Sequence, residues 1–302
     1  MRPMRPMRLR RAPRPDRPRL LHEVALIVET LEDIGVTRLS RGIFNCYLIH
    51  NAGGDPVVVD PGLPGLAGDL LPLMEEFGLG GVTTVAACAT HAHSDHVGGV
   101  PALVDRIDAK VHLPERVRSF LEGAKPRTPR VRDIARIWPT SFDQPFDGHG
   151  LLDAVRGARV AGYGGPAGMR WPDALEAAFL ADGDHLPGAP EWDVLATPGH
   201  TDDSMAFWHA GTRTLLSGDA VLSVGGRAWI TPETVDDAAS ARTAERLRSL
   251  DVAHLLPGHG RPVHGDEVTA RALGPLQGPR GFGSFARGLL GCLRGGRGQS
   301  AD

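Results

Sequence analysis

The stretch THAHSDHVGG, residues 90–99, places three imidazoles and a carboxylate within six consecutive positions: His91, His93, Asp95 and His96. Imidazole and carboxylate are the ligands that borderline divalent cations favour. In an extended segment His91, His93 and Asp95 project to one side at a period of two. His96 joins them only if the backbone turns, which Gly98 and Gly99 permit. An apolar run precedes the motif at residues 82–88, and an apolar-periodic run with Val100, Leu103, Val104 and Ile107 follows it. The stretch therefore reads as a strand end, a ligand loop and a helix start.

Three further polar positions lie downstream, each where an apolar strand opens into a glycine-containing loop: His200 in TPGHT, Asp219 in LLSGDAV and His259 in LLPGHGRPV. With the first cluster they supply five imidazoles and two carboxylates. That set suffices for two cations, with His91, His93 and His200 around one, Asp95, His96 and His259 around the other, and Asp219 between them. Asp60 ends another apolar run in VVVDPGLPG. Its carboxylate is either a turn former or an acceptor that orients a ligating imidazole. The other histidines, at 22, 50, 112, 149, 185, 209, 254 and 264, read as surface or core residues, with His264, near His259, the first to reconsider as a functional residue. No Gly-x-Ser-x-Gly elbow occurs, and Ser217 is part of the turn that presents Asp219.

These residues resemble the metallo-β-lactamase superfamily. His-x-His-x-Asp-His at 91–96, then His200, Asp219 and His259, match its ligand positions in order, and Asp60 matches the aspartate after its early strand. The resemblance spans about residues 43–263. It implies an α/β protein of four layers, an αββα sandwich with the metals at one edge of two face-to-face sheets. It also implies Zn2+, two per chain, with iron as the alternative. The implied chemistry is hydrolysis of a small ester, thioester or lactone by a metal-bridging hydroxide, with Asp95 and Asp219 as the catalytic carboxylates. Zinc β-lactamases of the best-known type carry cysteine where this chain has Asp219, so antibiotic hydrolysis is disfavoured. The all-His/Asp set is similar to that of glyoxalase II thioesterases, lactonases and phosphodiesterases. A mononuclear iron enzyme resembling persulfide dioxygenases would use His91, His200 and Asp219. A nuclease or phosphodiesterase is a third reading. After His200 the chain has Thr-Asp-Asp-Ser where many relatives have Thr-Pro-Gly-Ser, so Asp202 and Asp203 fall near the metal edge, to repel anions or cap a turn. Nothing after Pro275 offers a helical substrate domain, which counts against a glutathione thioester.

The 302 residues divide into a domain at 20–275 between an Arg/Pro-rich arm, 1–19, and a Gly/Arg-rich tail, 276–302, both expected to be disordered. The net charge of −3 conceals an uneven distribution: the two ends together hold 12 basic and two acidic residues, leaving 21 and 34 between them, a body charge of −13. An acidic body argues against a groove tracking nucleic-acid phosphates, and a small-molecule substrate is expected instead. No apolar run reaches the length of a membrane span. Cys46, Cys88 and Cys292 have no paired spacing, which fits a reducing, cytoplasmic setting, and any metal must rely on His and Asp.

Strand patterns run through residues 24–28, 43–49 and 57–60, then 82–88, 109–114, 192–197, 204–210, 212–219 and 253–260; residues 51–55 form a turn. Helical spacing covers residues 66–77, 117–122, 131–137, 238–250 and 266–273. Residues 115–171 form a lid-like insertion, otherwise irregular, that Phe120, Leu121, Ile134, Ile137, Trp138, Phe142 and Phe146 either line or fill as a satellite core. The run GYGGPAG at 162–168 lacks the Lys-Ser/Thr of a phosphate loop.

Overall fold

The chain's computed structural model describes residues 26–50, 55–77, 79, 84–129, 135–137, 139–140, 144, 148–164 and 168–278. The N-terminal arm, the tail beyond 278, most of the turn at 51–55, Cys292, and Ile134, Trp138, Phe142 and Phe146 of the insertion lie outside the described residues. Of the strand expected at residues 24–28, residues 26–28 are described, and Ile27 and Val28 open a strand that continues to Leu31.

Strands β1 (Ile27–Leu31), β2 (Val36–Arg41), β3 (Phe44–Ile49) and β4 (Val57–Val59) form an antiparallel meander. To it β5 (Thr84–Cys88), β6 (Asp108–Pro114) and β7 (Ala178–Leu180) add in parallel, giving seven strands. Helices α1 (Pro64–Glu76), α2 (Ser94–Val97), α3 (Val100–Val104), α4 (Val117–Leu121) and α5 (Gly148–Ala158) belong to this half. The second sheet contains β8 (His185–Leu186), β9 (Ala189–Ala196), β10 (Met205–His209) and β11 (Thr214–Gly218). A hairpin of β12 (Val221–Val224) and β13 (Arg227–Ile230), then α6 (Asp237–Arg248), lead to β14 (His254–Pro257), parallel to β11, and β15 (Val263–His264) at the edge.

The apolar runs are continuous because central strands are covered on both faces. Tyr47, Ile49, Val57, Val59, Ala86 and Cys88 face inward and meet Met205, Phe207, Leu216, Leu256 and Trp192 of the second sheet. Their neighbours Cys46, Leu48, Val58, Val85 and Ala87 face outward onto α1 and α3. Leu215, Leu255, Ala206 and Trp208 face outward beside Leu247 of α6 and the hairpin. The layers are therefore helix, sheet, sheet, helix: the αββα sandwich.

Three expectations need correction. Residues 266–273 are turns, not a helix: Glu267 has φ 56°, and the Val268 and Leu273 amides bond to Val252 and Ala228 carbonyls. Those partners leave no helical ladder to close. Of residues 131–137 only Ala135–Ile137 is described, as a single 3-10 turn. Within the supposedly irregular 138–171, α5 is a regular helix whose Asp153 accepts from the Gly65 amide at 2.7 Å, capping the start of α1. Phe120 is buried in a satellite cluster with Val117, Leu113 and Tyr163, whereas Leu121 is exposed.

Candidate metal centre

The candidate ligands all follow the C-terminal ends of strands. Asp60 follows β4, His91 to His96 follow β5, His200 follows β9, Asp219 follows β11 and His259 follows β14. β4 and β5 run parallel, as do β11 and β14, so their ends open on one edge, the usual location of sites in sheets with parallel strands. Cross-sheet bonds close that edge: Met205 N donates to Thr90 O at 2.7 Å, Asn45 Nδ2 to the Pro257 and Gly260 carbonyls at 2.8 Å each, and Tyr47 Oη to Pro257 O at 2.7 Å.

In the first loop the backbone turns at Ser94, where α2 begins, and this swings His96 back toward His91. The ring centroids of His91 and His96 lie 4.0 Å apart. His91 Nε2 and His200 Nε2 lie 3.1 and 3.3 Å from His93 Nδ1. On the other side His259 Nε2 is 3.2 Å from both Asp95 Oδ2 and Asp219 Oδ2. Asp219 Oδ2 is also 3.6 Å from His96 Nε2 and from His200 Nε2, so it stands between the two groups. His91/His93/His200, His91/His96/Asp219 and Asp95/His96/His259 each bring their ligand atoms within 4.8 Å of one another and could each hold a cation. All seven positions singled out from the sequence thus lie together at this edge.

The outward nitrogens are fixed by acceptors. His200 Nδ1 donates to Glu233 O and His259 Nδ1 to Ile43 O, each at 2.9 Å. Carbonyls only accept, so both rings carry the proton on Nδ1 and turn Nε2 to the centre. His96 Nδ1 meets Asp60 Oδ2 at 3.0 Å. Asp60 also accepts from Thr90 N and Thr90 Oγ1, both at 2.7 Å, from a left-handed backbone of φ 53°. Of the two readings of Asp60, the orienting acceptor is the one this geometry supports. The site is packed to its backbone: a Cβ on Gly258 would lie 2.3 Å from Asp219 Oδ1.

The donor set fits divalent cations. His96 Nε2 and Asp219 Oδ1 are buried without a hydrogen-bond partner among the described residues, which a protein tolerates only where something else satisfies them. Burial lowers His93 to about 3, with the adjacent His200 imidazole adding to the shift, and burial beside His96 and His93 pushes His91 well below the usual range. Burial opposes charge on His96 too, yet Asp219, Asp60 and Asp95 push it up to about 10, and Asp219 and Asp95 likewise raise His259. Without cations the surroundings thus favour the neutral form of His91 and His93 and the protonated form of His96 and His259.

Asp202 and Asp203 part ways. Asp203 is buried; its Oδ2 accepts from Ala92 N at 2.8 Å and its Oδ1 from Tyr163 Oη. Tyr163 N donates to Ala92 O and Ser94 N to Tyr163 O, both at 2.9 Å, and the Tyr163 ring stands edge-on to His93 at 4.8 Å. Tyr163 of the GYGGPAG run thus braces the loop that carries His91 to His96. Asp202 is held by Arg127, which also reaches Asp236 and the Val235 carbonyl. Glu233 escaped the sequence reading. It is 8% exposed, and its carboxyl, raised by burial, interacts electrostatically with His200, Asp219, Asp95 and His259.

His254 and His264 pair with each other at 2.9 Å, His254 at the opposite end of β14 from His259. His50, His112, His185 and His209 also lie outside the cluster. Cys46 and Cys88 are buried free thiols in the sheet, and no described helix is long and apolar enough to cross a membrane.

The sequence profile of the metallo-beta-lactamase superfamily matches residues 40–259, and the chain belongs to that superfamily. It is 26% identical over 251 residues to "Probable metallo-hydrolase YflN" of Bacillus subtilis, covering 76% of this chain and 86% of the relative. It is 24% identical over 180 residues to a hydroxyacylglutathione hydrolase of Bdellovibrio bacteriovorus, covering 59% of this chain and 48% of that one. Among solved structures it resembles TTHA1623 in a di-iron-bound form, with TM-score 0.50 and 28% identity over 78% of this chain and 96% of the other.

Proposed function

We propose that the chain is a dinuclear metal-dependent hydrolase that cleaves a small ester, thioester or lactone. The observation that carries this reading is the convergence of His91, His93 and His200 on one side of Asp219 and of Asp95, His96 and His259 on the other. Divalent cations held there would supply hydroxide near neutral pH and polarise a carbonyl oxygen. Asp60 and the Glu233 and Ile43 carbonyls keep the His96, His200 and His259 rings aimed inward. Asp219 stays charged between the two groups, because burial, which would raise it, is outweighed by His259 and His96. The Asp95 side chain is the more open of the two carboxylates, at 28% exposure against 5% for Asp219. It is suited to taking the proton of the attacking water at Oδ2 and passing it toward the leaving group.

Relatives called metallo-hydrolases support the hydrolytic class, and the hydroxyacylglutathione hydrolase supports a thioester among the candidate substrates. We assign Zn2+ as the working metal. Iron in the same two positions is the second reading, favoured by the di-iron form of TTHA1623. In this account the insertion acts as a lid through its described residues Arg127, held on Asp202 and Asp236, and Tyr163, set against His93. Turnover of an ester, thioester and lactone panel by the metal-loaded chain, compared with His93→Ala and Asp95→Ala, tests the proposal. Loss of turnover with the fold retained is expected; unchanged turnover overturns it.

A further inference from the structure

One buried carboxylate at the metal edge has no task in the reaction outlined above. Glu233 lies in the loop between β13 and α6, which follows the His200 loop closely: Val235 N and Asp236 N donate to Gly199 O at 2.8 and 3.2 Å, and the Glu233 carbonyl holds His200 Nδ1. Its main chain is therefore engaged in orienting a candidate ligand. Its side chain is not: the carboxylate makes no hydrogen bond or ion pair among the described residues although the residue is only 8% exposed. The carboxylate is nearly but not fully enclosed, and keeping it there without a protein donor is costly. Its carbonyl, 2.9 Å from His200 Nδ1, places the residue beside the centre, consistent with the electrostatic interaction of its carboxylate with His200, Asp219, Asp95 and His259.

The charges nearby narrow what it can be for. Two divalent cations with Asp95, Asp219, the orienting Asp60 and a hydroxide would leave the centre with no net charge, to which Glu233 adds one negative charge. Arg127, a cation that reaches this rim, is engaged by Asp202, Asp236 and the Val235 carbonyl. Among the described residues an anionic substrate would thus meet no net attraction and no free guanidinium at this rim, whereas a cationic one would meet an unpartnered carboxylate. We propose that Glu233 selects the substrate by receiving an ammonium group carried a few atoms from the scissile carbonyl, so that the site prefers cationic acyl compounds over carboxylate-bearing ones. This rests on the metal-hydrolase reading and adds the charge class of its substrate. Specificity of this kind arises as much from rejecting the wrong charge as from attracting the right one.

Three thiols of similar size test it without any turnover: 2-aminoethanethiol, 2-mercaptoethanol and mercaptoacetate, each titrated into the cobalt-loaded full chain and followed by the sulfur-to-cobalt charge-transfer band. The expected order is aminoethanethiol tightest and mercaptoacetate weakest, with about a tenfold step from the neutral probe to each charged one, equivalent to about 1.4 kcal/mol. Glu233→Gln, which keeps the side chain's shape, should bring the three dissociation constants within about threefold of one another. Glu233→Ala should do the same. No charge preference in the unaltered chain overturns the proposal. So does an equal change for all three probes in Glu233→Gln, because that pattern belongs to a residue that merely holds His200 or tunes the whole centre. The hydrolase reading fails separately, by absence of turnover with esters of every charge. A cobalt-loaded chain that takes up none of the thiols overturns both.

Discussion

The two halves of the candidate centre are built by different means. The half on the first sheet takes four side chains from six consecutive residues, His91 to His96, turned into place by one short helix and braced by side chains: Asp60 on His96, Asp203 on Ala92 N and Tyr163 against His93. The half on the second sheet takes His200, Asp219 and His259 from three strand ends across sixty residues, and its imidazoles are oriented by the Glu233 and Ile43 carbonyls. A side-chain acceptor can be changed by one substitution, whereas a carbonyl acceptor is removed only by moving the chain. The first half is therefore the tunable one, and the second is fixed by sheet register.

Removing Asp219, the carboxylate of the second half that stands between the two candidate metal positions, should have the largest effect. Asp219→Ala is expected to empty both metal positions and bring hydrolysis to background, measured by elemental analysis beside an ester assay. Next in size, Asp60→Asn should weaken metal binding about 10- to 100-fold, as loss of an orienting carboxylate does elsewhere, with competition against a chromophoric chelator as the readout. Full retention of affinity would show that Asp60 is only a turn former. Tyr163→Phe removes one donor from buried Asp203 and should cost about 1–3 kcal/mol of stability in denaturant titrations.

The smallest effect is one of protons. In chain freed of metal by a chelator, His91 and His93 lie below the ordinary value of 6.5 and His96 and His259 above it. The first pair contributes stability that is present above 6.5 and lost as pH falls, for His93 down to about 3. The second pair contributes stability present below 6.5 and lost as pH rises, for His96 through about 10. Nitrogen-15 NMR of the rings should find His93 neutral and His96 protonated at pH 7, and a uniform titration near 6.5 would break the comparison.

The same division explains what the sequence disclosed. Local crowding of His and Asp made the first half visible at once, and strand ends running into glycine loops exposed His200, Asp219 and His259. Strand β2 was not legible because its Arg38 and Ser40 are buried polar residues, Arg38 meeting Glu29 and Asn45, which breaks the apolar pattern. Helix α5 hides behind Gly148, Gly150 and Gly157, the last needed where the chain passes close to Gly98. The hairpin β12–β13 did carry a signal, since Gly225 and Gly226, both with positive φ, are the residues a two-residue turn demands. Glu233 had none: a glutamate in a Thr-Pro-Glu-Thr loop becomes notable only when folding buries it beside four ionisable ligands.

Metal content of the chain purified without chelators, followed alongside ester turnover as the metal is withdrawn and returned, tests the central claim most directly. The account predicts about two divalent ions per chain, with turnover lost on their removal and restored on their return. Turnover that persists in metal-free chain, or a chain that binds no metal with all seven ligands intact, would contradict it.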